Sequence, residues 1–100
     1  MTRMATAEDG RLVVWGALRG RHDARELEGI AKMRAHVRRE VAFDVRYLTS
    51  WDDSAIEALR RVRFSLSEAG KQLVLYDPPQ ALVEALVTNG PSTGLAIRRR

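Results

Sequence analysis

Segments with the pattern of a strand and segments with the pattern of a helix alternate along this chain, and that alternation limits the fold more than any other feature. The strand patterns are short runs rich in β-branched and aromatic residues, whereas the helix patterns carry apolar residues three and four positions apart. Strands that are joined through helices become parallel neighbours with right-handed crossovers. The sequence therefore predicts an α/β layer fold.

The predicted strands begin with a β-branched and aromatic run over residues 12–18, and residues 3–6 are predicted as its hairpin partner at a sheet edge. Residues 41–48 alternate apolar side chains with smaller or polar ones at period two. Short apolar runs predict further strands at residues 73–76 and 95–97. Because helix patterns separate these later runs, we expect them to lie parallel in one sheet.

The helices are predicted between these strands. The first covers residues 24–39, with Asp23 as its N-cap. The second covers residues 54–69 and carries a continuous apolar stripe at helical spacing. The third begins after the turn at residues 77–79 and is closed by the Asn-Gly-Pro sequence at residues 89–91.

Composition and length restrict what this chain can do. Its 100 residues predict a single domain over residues 1–100, with a core at residues 9–97 and a basic tail at residues 98–100. The absence of cysteine excludes disulfides, thiolate zinc sites and cysteine nucleophiles. No apolar run is long enough to span a membrane, and no segment resembles a signal peptide. We therefore expect a cytoplasmic protein without membrane insertion and without a cofactor.

The net charge of +4 favours binding to an acidic partner, although the terminal arginines supply most of this charge. The helical segments carry further arginines, which form either a patch for an acidic partner or ordinary solvated faces: Arg34, Arg38, Arg39, Arg60, Arg61 and Arg63. No nucleic-acid motif accompanies these charges, and aromatic residues are few, so nucleic-acid binding is not predicted.

The segment at residues 49–54 has the most distinctive chemistry, because it leaves a predicted strand and enters the second helix. Ser54 falls at the start of that helix, where unpaired backbone N–H groups and the helix dipole favour an anion such as a phosphate. The alternative interpretation is purely structural, since Ser50, Asp52 and Asp53 are residues that cap helices. An enzymatic role for Asp52 and Asp53 lacks a histidine, a metal site or a Gly-rich cradle, so no enzyme is predicted.

The ordered set of motifs resembles the STAS domain, the module of bacterial anti-sigma factor antagonists. The first strand ends in Gly16-Ala17-Leu18, where the family has Gly-x-Leu or Gly-x-Ile. The loop reads Asp52-Asp53-Ser54-Ala55-Ile56, where the family has Asp-Ser-Ser/Thr-Gly-Leu. The family's glycine followed by a short apolar strand matches residues 70–75, and its helix that begins at a proline matches residues 79–86. The resemblance covers residues 9–97.

This resemblance implies a mixed sheet of four to five strands with helices packed mainly on one side. It also implies function through docking, because in antagonists an anti-sigma kinase phosphorylates a loop serine or threonine. The unphosphorylated form binds that kinase and frees its sigma factor. By position, Asp52 matches the loop aspartate, Asp53 the first hydroxyl residue, Ser54 the second, and Ala55 the glycine. Ser54 is therefore the implied phosphorylation site.

The resemblance also implies a partner-binding surface, formed by Thr49, Ser50, Trp51, Asp52, Asp53, Ser54 and Ala55. Its expected partner is a protein, an anti-sigma factor with serine kinase activity. The alternative is a non-switching STAS subunit of a lipid-transporting ABC system, bound to the ABC ATPase. Trp51 is either an interface anchor or a residue that packs back over the helix, whereas Trp15 is predicted in the core.

Overall fold

Strands and helices alternate in the computed structural model, which describes residues 2–87 and 95–99. The elements in chain order are β1 (Thr2–Thr6), β2 (Leu12–Leu18), α1 (Gly20–Ala35), β3 (Glu40–Asp44), β4 (Leu48–Trp51), α2 (Asp53–Glu68), β5 (Gln72–Tyr76), α3 (Gln80–Val87) and β6 (Leu95–Arg98). This order confirms the predicted α/β class and the predicted N-terminal hairpin. The predicted end of the third helix at residues 89–91 lies outside the described residues.

The strands form one mixed sheet in the order β1-β2-β3-β5-β6, and β4 pairs with β2 beyond the end of β3. β1 is antiparallel to β2, and the other pairs are parallel. Within the described residues the sheet has six strands, one more than the four to five expected. The additional strand arises because the segment predicted as one strand over residues 41–48 is divided: β3 ends at Asp44, and a separate strand begins at Leu48.

β3 and β4 pair with the same edge of β2. β1 occupies one edge of β2, so β3 and β4 share the other edge, with Leu12 opposite Phe43 and Leu18 opposite Trp51. A β-bulge shifts the register after Gly16, which has a φ of +82°. Glycine adopts this φ without the steric cost that a side chain would add.

One face of the sheet carries the hydrophobic core. Side chains from alternate strand positions point to this face, including Val14, Phe43 and Leu75, and each is fully buried. They pack in one cluster with residues of α1, α2 and α3, among them Leu27, Leu59 and Leu82. All the described helices therefore cover the same face, as the resemblance implied. None of these helices, within residues 2–87 and 95–99, is long and apolar enough to cross a membrane.

The opposite face, here called the open face, carries Trp15, Asp44 and Tyr76. Trp15 is 36% exposed and stacks on Tyr47, with ring centroids 6.3 Å apart. The prediction of a core position for Trp15 is therefore wrong. The reason is the period of two along a strand, because Val14 points into the core and its neighbour must point away from it.

α1 begins earlier than predicted, and Asp23 is not its N-cap. The helix starts at Gly20 with Arg19 in the cap position, so Asp23 lies in the first turn. Its carboxylate accepts hydrogen bonds from Thr2 Oγ1 at 2.6 Å and from Arg19 N at 3.0 Å. These two donors lower the pKa of Asp23. Asp23 thus stabilises the helix start from inside the helix, and α1 ends at Ala35, before the predicted residue 39.

Candidate partner-binding surface

The residues predicted to bind a partner lie together where β4 runs into α2. Thr49, Ser50 and Trp51 are the last residues of β4, and Asp52 occupies the N-cap of α2. Asp53, Ser54 and Ala55 form the first turn of that helix. Loops at the carboxyl ends of parallel strands are the usual place for functional residues in α/β sheets.

The Asp52 carboxylate connects the starts of two helices. Its Oδ1 accepts a hydrogen bond from the Ala55 backbone N–H at 3.1 Å, which is the capping interaction of α2. Its Oδ2 accepts one from the Gly20 N–H at 2.9 Å, at the start of α1. The Gly20 N–H is the largest cause of a lowered pKa for Asp52, because these donors stabilise the ionised carboxylate. The capping interpretation therefore holds for Asp52.

Two of the predicted residues point towards the core. Trp51 is half-buried and packs against the core cluster, so it packs back and does not project as an anchor. The Ala55 side chain is 1% exposed. The Cβ that distinguishes Ala55 from the family's glycine is therefore directed inward and leaves the outer surface unchanged.

The remaining predicted residues form the outer part of the surface. Thr49 and Asp53 are exposed, and Ser50 and Ser54 are half-buried. Ser50 Oγ accepts a hydrogen bond from Arg19 Nε at 3.3 Å. Within residues 2–87 and 95–99, Ser54 Oγ has no hydrogen-bond partner. The Ser54 hydroxyl is therefore unengaged within the part of the chain that the structure describes.

Ser54 lies on the rim of a groove of about 450 Å³ between the N-terminal halves of α1 and α2, here called the α1–α2 groove. Its charged lining residues are Arg21, Arg25, Glu28, Asp53, Glu57 and Arg61. An ion pair crosses the groove, with Arg61 Nε 2.5 Å from Glu28 Oε1. Arginines and carboxylates are equal in number here, so the groove carries no net charge.

The sequence analysis did not identify the contribution of α1 to this site. Arg21 and Arg25 are four residues apart, which puts them on one face of a helix, but this spacing becomes visible only when the helix starts at Gly20. The predicted start at residue 24 left Arg21 outside the helix. No group of three or more histidines, aspartates or glutamates in the described part of the chain could hold a metal ion.

Solved structures with the same fold are known. The anti-sigma factor antagonist SpoIIAA, in its unphosphorylated form, matches with a TM-score of 0.70 at 12% sequence identity, over 97% of this chain and 86% of that one. The chain has a STAS-type fold. An uncharacterised protein from Shewanella loihica with a SpoIIAA-like fold matches with a TM-score of 0.60 at 10% identity, over 100% of this chain and 84% of that one.

These likenesses concern the STAS-type fold itself, because the sequences share so few residues. No protein-family model matches the chain, and no curated protein sequence matches it significantly. The fold agrees with the family resemblance found in the motifs, and it positions Asp52 and Ser54 at the start of α2.

Proposed function

We propose that this chain is a protein-binding module of the anti-sigma factor antagonist type, and that it docks its partner through the surface at the start of α2. The docking residues are the outer ones, Thr49, Ser50, Asp53 and Ser54, together with the α1–α2 groove. The observation that carries this proposal is the position of Asp52, Asp53 and Ser54 at that helix start, in a fold shared with an anti-sigma factor antagonist.

Ser54 is the proposed phosphorylation site. Its hydroxyl is unengaged within the described residues and lies at the rim of the groove, where a kinase has access to it. A phosphate adds about −1.5 to −2 charges at neutral pH. The α1–α2 groove would change from neutral to negative, with Asp53 and Glu57 close to the added group. Repulsion and the new bulk would release a partner that fits the unmodified surface.

The preferred partner is an anti-sigma factor with serine kinase activity, because one protein would then both bind Ser54 and modify it. A mixed-charge groove suits a partner surface that also carries both signs of charge. Arg21 and Arg25 would meet its carboxylates, and Glu57 would meet its basic residues.

A second candidate is a fixed subunit bound to the ATPase of a lipid-transporting ABC system. The observation that favours it is Asp53, which is exposed and keeps a permanent negative charge next to Ser54. A surface that is always charged at this position suits constitutive docking better than a switch.

Affinity capture from the native host, followed by mass spectrometry, tests the proposal. We expect a kinase-type anti-sigma factor to be recovered, with phosphate on Ser54 of the protein. Ser54→Ala should retain capture and lose the phosphate, and Ser54→Glu should weaken capture about tenfold, because it adds a negative charge beside Asp53 and Glu57. Ser65→Ala is the matched control, because Ser65 is exposed on the same helix but lies outside the surface.

The alternatives have distinct results. Recovery of an ABC ATPase with its permease would support the fixed subunit and overturn the switch. Phosphate on a residue other than Ser54 would contradict the role of Ser54. Equal capture by wild type and Ser54→Glu would contradict docking through this surface.

A further inference from the structure

β3 extends further towards its amino end than β2 does. The β2–β3 ladder consists of Leu12 opposite Phe43 and Val13 opposite Asp44, so within the described residues the part of β3 before Phe43 has no β2 partner. A cavity of about 210 Å³ lies beside this part of β3. We call it the β3-edge cavity, and its charged and aromatic walls are Asp9, Arg11, Arg34, Arg38, Glu40 and Tyr76.

Arginines from three parts of the chain converge on the β3-edge cavity. Arg11 comes from the turn before β2, Arg34 from the last turn of α1, and Arg38 from the segment after that helix. Arg34 donates hydrogen bonds to the Gly10 carbonyl and, at 2.8 Å, to Thr6 Oγ1. The arginine that ends α1 is thereby fixed in the cavity wall.

Gly10 allows Arg38 to approach the same wall. Gly10 has a φ of +93°, and a Cβ at this position would lie only 2.5 Å from Arg38 Nη1. The positive φ favours glycine in this turn, and the flexible end of the Arg38 side chain occupies the space beside it.

The positive charge of this cavity is incompletely balanced. Asp9 pairs with Arg11 at 2.8 Å, and Glu40 pairs with Arg98 at 3.1 Å. No carboxylate within residues 2–87 and 95–99 forms an ion pair with Arg34 or Arg38. Burial, and next the charge of Arg38, lower the pKa of Arg34. An anion in the cavity would relieve this repulsion.

Arg11 also has a buried nitrogen, Nη1, that makes no hydrogen bond within the described residues. Its side chain is 12% exposed, and its Nη1 forms an ion pair with the buried Asp44 carboxylate at 3.6 Å, which is too long for a hydrogen bond. A buried charged donor that lacks an acceptor reduces the stability of the folded state. The Arg11 guanidinium also lies over the Tyr76 ring, 4.9 Å from its centroid, so the aromatic wall and the charged wall are in contact.

We propose that the β3-edge cavity binds a small phosphate monoester through Arg11, Arg34 and Arg38. Guanidinium groups form bidentate hydrogen bonds with phosphate oxygens, and a phosphate monoester offers three terminal oxygens and up to two negative charges, where a carboxylate offers two oxygens and one charge. Arg11 already pairs with Asp9 and Asp44, so the positive charge available to an anion comes from Arg34 and Arg38, which form no ion pair within the described residues. The volume corresponds to about seven water molecules, which is enough for a phosphate and a short carbon chain beside Tyr76.

This ligand site is separate from the proposed docking surface. Its residues come from the turn before β2, the end of α1 and the start of β3, whereas Ser54 lies at the start of α2. A test of the ligand site is therefore independent of the identity of the partner and of phosphorylation at Ser54.

An NMR titration of the full chain at low ionic strength tests the site, with inorganic phosphate and glycerol phosphate as probes. We expect saturable shifts of the Gly10, Arg11 and Ala42 amides, with tighter binding of glycerol phosphate. Arg38→Gln should weaken binding about tenfold, because it removes a charge-assisted contact. Arg39→Gln is the matched control, since it removes the same charge from the exposed neighbouring residue, and it should change affinity less than about twofold.

Several results would overturn this proposal. One is the absence of saturable shifts at these amides, and another is shifts confined to the first turn of α2. Equal losses in Arg38→Gln and Arg39→Gln would show general charge attraction instead of a site. Binding of inorganic phosphate without binding of glycerol phosphate would rule out a monoester as the ligand. Arg38 is exposed, so its substitution should leave the melting temperature unchanged and the test interpretable.

Discussion

Asp52 uses its two carboxylate oxygens for two different helices, Oδ1 for Ala55 N in α2 and Oδ2 for Gly20 N in α1. The Asp52→Asn substitution replaces one of these acceptors with an NH₂ donor, so one backbone N–H loses its partner. We expect the melting temperature to fall by several degrees in a circular-dichroism thermal scan. The control is Asp53→Asn, since Asp53 is exposed and its removal should have little effect. Equal losses in the two variants would contradict the role of Asp52.

The lowered pKa of Asp52 gives this effect a pH dependence. A carboxyl group whose pKa is lowered on folding stabilises the folded state above its unfolded-state pKa of about 3.9, and this contribution is lost as the pH falls through the folded value. Asp52→Asn lacks the contribution at every pH. The difference in melting temperature between wild type and variant should therefore be constant from about pH 5 to 7 and shrink below about pH 4. A difference that stays constant in acid would contradict this assignment.

Single residues differ in how far the sequence predicted them. Asp52 and Ser54 were placed correctly at a helix start, because capping residues mark such starts locally. Asp23 and Trp15 were not placed correctly, because their positions depend on contacts with residues that are far away along the chain. Asp23 in α1 accepts a hydrogen bond from Thr2 in β1, and Trp15 stacks on Tyr47 of the turn between β3 and β4.

At the scale of elements, α2 connects the docking surface to the core. It contributes buried residues along its length, including Leu59, which is 1% exposed. Leu59→Ala should reduce the free energy of unfolding by about 2–5 kcal/mol, because it leaves a cavity in the core. Phe64→Ala is the control on the same helix, since Phe64 is 65% exposed, and its effect should stay within about 0.5 kcal/mol. Chemical denaturation measures both, and similar losses would contradict the assigned helix face.

The elements were predicted well where the pattern is local and poorly where it depends on pairing. The apolar stripe of α2 defined that helix to within one residue at each end. The alternation over residues 41–48 continued through the break between β3 and β4, because apolar spacing does not register the turn at residues 46–47. The α1–α2 groove was missed for a related reason, since the start of α1 depends on the contact between Asp52 and Gly20.

At the scale of the whole molecule, the docking surface and the β3-edge cavity lie at different places in the STAS-type fold. The docking surface lies at the start of α2, whereas the β3-edge cavity lies beside the turn before β2 and shares Tyr76 with the open face. The alternation of strands and helices was sufficient to predict the fold class. The β3-edge cavity was not predictable, because Arg11, Arg34 and Arg38 meet only after the sheet has formed.

Hydrogen–deuterium exchange with and without the captured partner is the most direct test of the central claim, docking through the start of α2. The account predicts that the partner slows exchange at residues 49–55 and in the first turns of α1, which form the opposite wall of the groove. Slower exchange around Trp15 on the open face, with residues 49–55 unchanged, would contradict it.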